Sequence, residues 1–412
     1  MKGIKLRIPI DTSVTPVAQH ARRPPIALLG RIEEKLDQLE SADIIEKVTG
    51  YSDWLSPLVV LVKDNGELRI CVDMRMANRA IKPEYHFMPT IDDSLPRMKS
   101  AKLFSRLDIK EAFHQIELDE TSRAITTFIT HHGTYRYKRL MFGVSCAPEM
   151  FQKILEQLLA SCQNCINFID AIIVFGADEA EHDRCLNKVL NVLRNHNVLL
   201  NTKKCLFKVM ELDFLGHHIS SQGIRPAESK VQALKAFQTP KNAEELRSFL
   251  GLATYVGRFL PELGTISAPL RLLTHHGVTF QWTDVHETAF LKLKDMISDV
   301  KQLKFFDAGM RTRVVADASP VALGAVLVQF AHVTDDSNPR IISYASRSLT
   351  STEQRYCQTE KEALALVWAV ERFAVYLVGR RFELETDHKP LEAIFSPTSH
   401  PCSHVARWVL RL

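Results

Sequence analysis

Apolar residues recur every three to four positions over several stretches of this chain, and this period predicts amphipathic helices. The stretches are 26–47, 147–162, 181–201 and 359–377. A further region, from Glu228 to about Val300, has only helical periodicity and is punctuated by Pro240, Pro261 and Pro269. Each such helix is expected to pack its apolar stripe against a neighbouring layer of the fold.

Other segments are rich in β-branched and aromatic residues, and these predict strands. They are 56–75, a run that ends near Asp108, 166–175, 212–226, 313–330, 340–349 and 382–387. The first is expected to be a hairpin, because Asn65-Gly66 is a strong tight-turn signal. The pattern changes near Gly223 and near Leu303, so we predict three parts, 1–222, 223–302 and 303–412, in a chain of α/β (α+β) class.

The composition is that of a globular protein, with 46% hydrophobic and 24% charged residues. A net charge of +4 is only mildly basic, so nucleic-acid binding has to come from local patches. The helical region supplies such a patch, which contains Lys230, Lys235, Lys241, Arg247, Arg258 and Arg271. We expect these side chains to follow a phosphate backbone without reading its sequence.

Signals for secretion or membrane insertion are missing from the sequence. The N-terminal residues have no apolar signal core, and no apolar run approaches the roughly 20 residues that span a bilayer. The 8 cysteines are scattered, which is typical of reduced thiols in an intracellular protein. We therefore expect an intracellular protein that contacts no membrane. The segment 400–412 ends inside an apolar helix, which predicts a fragment of a longer protein.

Two carboxylates stand at strand ends in the first half of the chain. Asp108 closes one apolar run, and Asp170 separates two others in the sequence NCINFIDAIIVFG. A buried carboxylate is costly without a partner. Two that converge can hold divalent cations, which activate a hydroxyl and neutralise a pyrophosphate. The alternative is that each acid only caps a turn or starts a helix.

Cysteine and histidine residues offer a competing metal site. Cys162 and Cys165, followed by His182 and Cys185, have the spacing of zinc ligands. We disfavour zinc because a helix end, an apolar hairpin and an acidic turn separate the two pairs. The remaining doublets are expected in loops or turns, and they are His131-His132, His217-His218 and His275-His276.

An ordered series of motifs resembles the reverse transcriptase of gypsy-like LTR retrotransposons, followed by the N-terminal part of their ribonuclease H. The first half carries LSPLVVLVKDNGELRICVDMRMANRAIKPEYHFMPTIDD, FSRLDIKEAFHQIEL, TTFITHHGTYRYKRLMFGVSCAPEMFQKIL, FIDAIIVF and FLGHHIS. The second half carries KFFDAGMRTRVVADASPVALGAVLVQ, TEKEALALVWAVERF and LETDHKPL. The resemblance implies fingers and palm in 1–222, a thumb or connection in 223–302 and a truncated ribonuclease H-like domain in 303–412.

This resemblance implies an RNA-directed DNA polymerase with ribonuclease H that adds dNTPs to a primer on an RNA or DNA template. It implies Mg²⁺ or Mn²⁺ as the cofactor, a place in a cytoplasmic retrotransposon particle and no particular oligomeric state. By motif position, the polymerase metal would be bound by Asp108, the carbonyl of Ile109 and Asp170.

The ribonuclease H metal acids would be Asp317, Glu362 and Asp387, which lie at a strand end, on a helix and at another strand end. Glu360 is the alternative to Glu362 for the helix position. The resembled family also has a fourth acid after the ARW sequence, and the chain ends before that point. Nuclease activity is therefore doubtful for this polypeptide.

The same resemblance places substrate contacts along the first half. Lys63 and Arg69 would grip the incoming triphosphate, Phe113 would crowd its sugar, and Phe142 and Gly143 would lie under the template–nucleotide pair. From the residues alone, the alternative for Lys63 and Arg69 is that they are solvated hairpin charges, and Phe113 is equally well a core residue.

Two further pairs of residues have expected roles. Leu215 and Gly216 match the primer grip of the resembled family. Asp73 and Arg75 are expected to form a structural ion pair.

Ala171 departs from the resembled pattern, which has a second Asp after Asp170. An alanine methyl can neither bind a metal nor balance its charge, and metal catalysis supplies several kcal/mol of transition-state stabilisation. Each 1.4 kcal/mol lost slows a reaction about tenfold. We therefore expect polymerisation to be reduced by orders of magnitude. The alternative is a pseudoenzyme that binds primer–template without extending it.

Overall fold

The computed structural model describes residues 1–62, 66–331 and 336–394, and these form two compact units. Unit 1 contains residues 1–90 and 101–209. Unit 2 contains residues 91–100 and the described residues from Met210 onward. Among the described residues, no helix has both the length and the apolar character that crossing a bilayer requires.

The strands of unit 1 are β1 (Lys5–Leu6), β2 (Ile45–Lys47), β3 (Ser56–Val62), β4 (Leu68–Val72), β5 (Leu103–Asp108), β6 (Glu117–Leu118), β7 (Phe128–Thr130), β8 (Gly133–Tyr137), β9 (Cys165–Phe168), β10 (Ala171–Gly176) and β11 (Leu206–Val209). Those of unit 2 are β12 (Glu211–Phe214), β13 (His217–Ser220), β14 (Gly223–Pro226), β15 (Arg311–Ala318), β16 (Ala322–Phe330), β17 (Arg340–Ser348) and β18 (Glu383–Glu385).

The helices, in chain order, begin with α1 (Leu29–Ser41), α2 (Ile91–Ser94), α3 (Glu120–Arg123), α4 (Ala147–Leu159) and α5 (Glu179–Asn195). They continue with α6 (Glu228–Lys235), α7 (Ala243–Tyr255), α8 (Leu263–Leu272), α9 (Asp284–Ser298), α10 (Gln358–Arg372), α11 (Ala374–Leu377) and α12 (Pro390–Ile394). Short 3₁₀ turns include Ala112–Gln115 and Gly257–Phe259.

Unit 1 is built on two main sheets. The first has the order β11-β5-β10-β9 and is antiparallel throughout. The second has the order β2-β8-β7-β3-β4, in which β3 and β7 run parallel. Helices α4 and α5 pack against the first sheet, and α4 buries Phe151 and Leu155 there. The predicted hairpin at 56–75 is confirmed in β3 and β4, although its turn residues 63–65 lie outside the described residues.

Several predicted elements end earlier or divide differently. The helix expected over 26–47 ends at Ser41, because Asp43 adopts a left-handed φ of 56° and Ile45 then pairs with β8. The helix expected over 359–377 is interrupted at Phe373, and the hairpin expected at 212–226 is a three-stranded meander of β12, β13 and β14. At the end of α1, pairing with a strand distant in sequence overrides the local helical periodicity.

Unit 2 combines that meander with helices and a second sheet. Its sheet has the order β17-β16-β15-β18, with β15 and β18 parallel and the other pairs antiparallel. Helix α10 packs across β15 and β16, and α8 packs against β16 and β17. The helical run predicted from Glu228 to Val300 is confirmed as α6 to α9. The mixture of helices and sheets agrees with the predicted α/β (α+β) class.

Candidate active sites

Strands β5 and β10 place Asp108 beside Ala171, the residue that follows Asp170. Asp108 ends β5 and pairs with Ala171, the first residue of β10. The Ile109 N–H donates to the Asp170 carbonyl over 2.8 Å, so Asp108 and Ala171 do not exchange backbone hydrogen bonds with each other. Side chains of such a pair lie on one sheet face, with Cα atoms about 4.5 Å apart. A carboxylate at residue 171 would therefore stand next to that of Asp108.

Asp170 lies in the two-residue turn between β9 and β10, as its sequence predicted. The other turn residue, Ile169, has a left-handed φ of 50°, a conformation that is costly for a β-branched side chain. Gln152, which is fully buried on α4, holds this turn. Its Oε1 accepts from the Ile169 N–H over 2.7 Å, and its Nε2 donates to the Asn167 carbonyl over 3.0 Å.

Sequence reasoning missed Gln152, although a signal existed. It lies among the buried positions of α4, where an amide is costly unless both of its polar ends are bonded. The turn that carries Asp170 is consequently fixed from outside the hairpin, by a neighbouring helix.

The two acids of this corner interact electrostatically. Partial desolvation raises the pKa of Asp170 above its ordinary value, and the nearby charge of Asp108 adds to the effect. The charge of Lys204 acts in the opposite direction on the pKa of Asp170. The Lys204 Nζ lies 4.0 Å from Asp108 Oδ1. Close carboxylates that disfavour each other's charge are a suitable setting for a divalent cation.

Asp108, Ile109 and Asp170 line one cavity of about 450 Å³ in unit 1. The wall also includes Arg69, together with other residues of β4. Lysines contribute as well, namely Lys35, Lys110 and Lys204. The cavity thus brings two carboxylates and several cationic side chains to one place, and groups of these types can bind metal ions and phosphate oxygens. Lys63, the other predicted triphosphate contact, lies outside the described residues.

Aromatic rings form part of the cavity wall. The Arg69 guanidinium lies over the Phe142 ring, 5.4 Å from its centroid, and Phe142 is 43% exposed. Phe113 is buried, with its ring 4.8 Å from that of Phe142 and 5.6 Å from that of Phe151. Phe113 therefore packs in the core next to a cavity-lining ring, and its contact with a sugar stays a prediction.

The segment that begins at Phe142 is fixed by a side chain that sequence reasoning missed. Gly143 has a positive φ of 99°. Its carbonyl accepts from Asn78 Nδ2 over 2.8 Å, and Asn78 Oδ1 accepts from the Ser145 N–H over 3.0 Å. Asn78 follows the predicted ion pair of Asp73 and Arg75, which is confirmed by contacts of 2.8 and 2.7 Å.

Leu215 and Gly216 form the turn between β12 and β13 in unit 2, and both have positive φ. The Tyr255 hydroxyl donates to the Leu215 carbonyl, and His217 Nδ1 lies 2.7 Å from the same oxygen. A Cβ on Gly216 would lie 2.3 Å from the Tyr255 hydroxyl, so this position requires glycine. His217 is buried in β13, so the expectation that it lies in a loop or turn is wrong.

Three acids converge at a second place, within unit 2. Asp317 in β15, Glu362 on α10 and Asp387 after β18 offer ligand atoms that all lie within 4.8 Å of one another. Glu362 is 3% exposed, and its Oε2 has no hydrogen-bond partner. Burial raises the pKa of Glu362, and the charges of Asp317 and Asp387 add to that shift. An orphaned, buried carboxylate oxygen among other carboxylates fits a divalent cation.

The alternatives for metal binding have other partners. Glu360 accepts from the Cys357 N–H over 3.1 Å in a capping box and is outside the acid cluster. His182, in the zinc-like spacing, contacts Ser105 Oγ at 2.9 Å and Asp183 at 3.1 Å. In the described part of the chain, no cluster of three metal-ligand side chains forms besides that of Asp317.

Some of the basic side chains in the helical region have structural contacts. Arg258 pairs with Asp92 over 2.7 Å, and Arg271 donates to Ser267 Oγ and Thr254 Oγ1. These two arginines therefore contribute less to a phosphate-binding surface than the sequence suggests.

Two family models match the chain. The model described as reverse transcriptase (RNA-dependent DNA polymerase) matches residues 61–219. The model described as an RNase H-like domain found in reverse transcriptase matches residues 307–412. The first match includes the cavity of unit 1, and the second includes the acid cluster of unit 2.

Relatives and solved structures match over nearly the whole chain. The retrovirus-related Pol polyprotein from transposon 412 of Drosophila melanogaster is 33% identical over 96% of this chain and 32% of its own length. The chain thus spans about a third of that relative. A foamy viral protease-reverse transcriptase in complex with double-stranded DNA has a TM-score of 0.86 at 22% identity, over 98% of this chain and 71% of that chain. The foamy viral enzyme in complex with an RNA/DNA hybrid has a TM-score of 0.81 at 21% identity, over 99% of this chain and 55% of that chain.

Proposed function

Because the chain belongs to the retrotransposon Pol family of reverse transcriptases with an RNase H-like domain, we propose that it binds primer–template and carries a polymerase site and a nuclease site. The reaction would add dNTPs to a primer on an RNA or DNA template. The observation that carries the proposal is the cavity in which Asp108, Ile109 and Asp170 share a wall with Arg69. Fingers and palm would occupy 1–222, the thumb 223–302 and the nuclease 303–412.

Different residues would contribute to different parts of nucleotide addition. The planar fork of Arg69 suits the oxygens of a triphosphate, and its stacking on Phe142 limits the directions in which it points. Asn78 holds the Phe142–Ser145 segment, over which the base pair of template and nucleotide would lie. Leu215 and Gly216 would support the primer through backbone that Tyr255 keeps in place.

Asp108, Asp170 and the Ile109 carbonyl would hold Mg²⁺ or Mn²⁺ that arrives with the triphosphate. A divalent cation in such a site lowers the pKa of an attacking hydroxyl and neutralises the leaving pyrophosphate. The raised pKa of Asp170 supports this role, because a bound cation would stabilise the charged form that desolvation and Asp108 disfavour.

Ala171 removes a ligand from this arrangement. Its methyl group faces the same side of the sheet as the Asp108 carboxylate, where a second acid would complete the grip on a metal that activates the primer hydroxyl. We propose that polymerisation by this chain is slowed at least about 100-fold for this reason, since metal catalysis supplies several kcal/mol.

Primer extension on poly(rA)–oligo(dT) with dTTP and Mg²⁺ tests the proposal. The chain is compared with Ala171→Asp and with Ala171→Asn. The asparagine side chain has nearly the same shape as aspartate but carries no charge. We expect extension to rise at least about 100-fold for Ala171→Asp and to stay low for Ala171→Asn. Equal extension by all three would refute the role of residue 171.

Two further measurements make the test sharper. Asp108→Asn in the Ala171→Asp background should abolish the recovered extension, and retained activity would overturn the proposed polymerase site. Ala171→Asp should also lower the melting temperature without metal, because two opposed carboxylates repel across a strand pair, and Mn²⁺ should restore it.

We propose that Asp317, Glu362 and Asp387 hold a divalent cation for ribonuclease H chemistry. Glu362 would supply the orphaned Oε2, and the two exposed acids would close the site from β15 and from the segment that follows β18. Cleavage of the RNA strand of a labelled RNA/DNA hybrid, compared with Asp317→Asn, tests this assignment. Equal cleavage by both proteins would refute it.

Ala171 also favours a second function, in which the chain binds primer–template without extending it. Fluorescence anisotropy with a labelled primer–template distinguishes the two. Micromolar or tighter binding that weakens with salt, together with no detectable extension by the chain itself, would favour this second function over the first.

A further inference from the structure

The three clustered acids of unit 2 come from elements that are far apart in sequence. Asp317 belongs to β15, Glu362 to the second turn of α10 and Asp387 to the segment after β18. Two of them are exposed, so packing alone does not fix where their carboxylates point. Mutual repulsion among the three also opposes their convergence.

Gln358, the first residue of α10, bonds to two of these elements at once. Its Nε2 donates to the Ala318 carbonyl, next to Asp317, over 2.9 Å. The same nitrogen donates to Glu362 Oε1 over 2.5 Å. The bond occupies Oε1 and leaves Oε2, the orphaned oxygen, as the atom available to a cation.

Thr359, the next residue, reaches the third element. Its Oγ1 lies 2.9 Å from Nε2 of His388, which directly follows Asp387. The His388 N–H donates to Thr386 Oγ1 over 3.2 Å, which tightens the turn on the other side of Asp387. Two consecutive side chains on α10 thus contact the neighbours of Asp317 and Asp387, as well as Glu362 itself.

Capping of α10 does not explain these two residues. The helix begins with a capping box in which the side chains of Cys357 and Glu360 each accept from the other residue's backbone N–H. Gln358 and Thr359 are therefore left to bond outward, toward the elements that carry the acids.

We propose that Gln358 and Thr359 are positioning residues that hold the three acids in metal-binding geometry. The inference rests on the proposed function, in that the cluster is taken to bind a divalent cation. Residues that orient metal ligands in this way typically contribute 10- to 100-fold to metal affinity.

Mn²⁺ binding to the full chain, measured by isothermal titration calorimetry without nucleic acid, tests the proposal. Asp317→Asn first defines which part of the isotherm belongs to this cluster. We expect Gln358→Met, which keeps length and helix propensity, to weaken that component about tenfold, and Thr359→Val to weaken it several-fold.

The matched control is Gln354→Met. Gln354 precedes α10 and donates to the Leu349 carbonyl over 3.2 Å, but it contacts none of the acids. We expect it to leave Mn²⁺ affinity unchanged. Thermal melts accompany each variant, and Gln358→Ala is a second variant should Gln358→Met reduce stability.

The outcomes separate the two levels of inference. If Asp317→Asn leaves Mn²⁺ binding unchanged, the proposed metal site itself is wrong. If Asp317→Asn removes a binding component that both Gln358 variants retain at full affinity, only the positioning role is overturned. A loss of Mn²⁺ affinity at an unchanged melting temperature supports the role, because a purely structural contact would change stability instead.

Discussion

Replacement of Gln152 by leucine is the sharpest test of how the Asp170 turn is held. Leucine keeps most of the buried volume but leaves the Ile169 N–H and the Asn167 carbonyl without their side-chain partner. Each buried polar group left unpaired costs about 1–3 kcal/mol. The bonds also oppose the left-handed strain at Ile169, which is worth about 1–2 kcal/mol. We expect the free energy of unfolding to fall by about 3 kcal/mol.

Urea unfolding followed by circular dichroism measures this change, with Gln157→Leu as the control. Gln157 lies on the same helix but is exposed, so the identical substitution should alter stability by less than about 0.5 kcal/mol. Ile169→Gly should partly rescue Gln152→Leu, because glycine adopts positive φ without strain. A Gln152→Leu cost below about 1 kcal/mol would show that the amide does not hold the turn.

Two further substitutions test other parts of the structure. Asp73→Asn removes a carboxylate whose pKa is lowered to about 2, chiefly by hydrogen bonds from Arg75. A lowered pKa stabilises the fold above the pKa of the unfolded chain, and this stabilisation is lost as the pH falls through the pKa of the folded protein. The difference in stability between Asp73→Asn and the parent, about 1–2 kcal/mol at pH 7 after allowance for the exposed Arg75, should therefore shrink progressively from about pH 5 to below about pH 2 in urea unfolding. A pH-independent difference would contradict this. Gly223→Ala should cost more than about 3 kcal/mol, since its Cβ would lie 1.9 Å from the Leu303 carbonyl oxygen. Gly251→Ala, in open space on α7, should instead be neutral or stabilising by up to about 1 kcal/mol, and equal effects of the two glycine variants in thermal melts would contradict the geometry.

The sequence predicted local elements better than the contacts that position them. The turn at Asp170 follows from two apolar runs separated by one acid, and the hairpin of β9 and β10 confirms it. The pairing of Asp108 with Ala171 could not be predicted from periodicity, because register depends on which strands become neighbours. Gln152 and Asn78 were missed for a related reason, since each holds a backbone segment far from it in sequence.

The acids of unit 2 show the same division. The sequence predicted that Asp317 ends a strand and that Glu362 lies on a helix. Periodicity alone did not distinguish Glu362 from Glu360. The structure separates the two because residues 357–360 form the capping box, so the side chain two positions later is the one that turns inward. The two positions differ by about half a helical turn, and this difference separates a capping side chain from a proposed metal ligand.

The opposed pair of Asp108 and Ala171 indicates that alanine in place of the proposed second acid has little structural cost. Residues 108 and 171 face each other without direct backbone hydrogen bonds, where side chains approach most closely. Two carboxylates in such a pair repel each other, and the pKa of Asp170 is already raised by desolvation and by Asp108. A third negative charge would therefore destabilise the metal-free fold, whereas alanine relieves it. Stability and catalysis thus favour opposite residues at position 171, and only a bound divalent cation would reverse the preference.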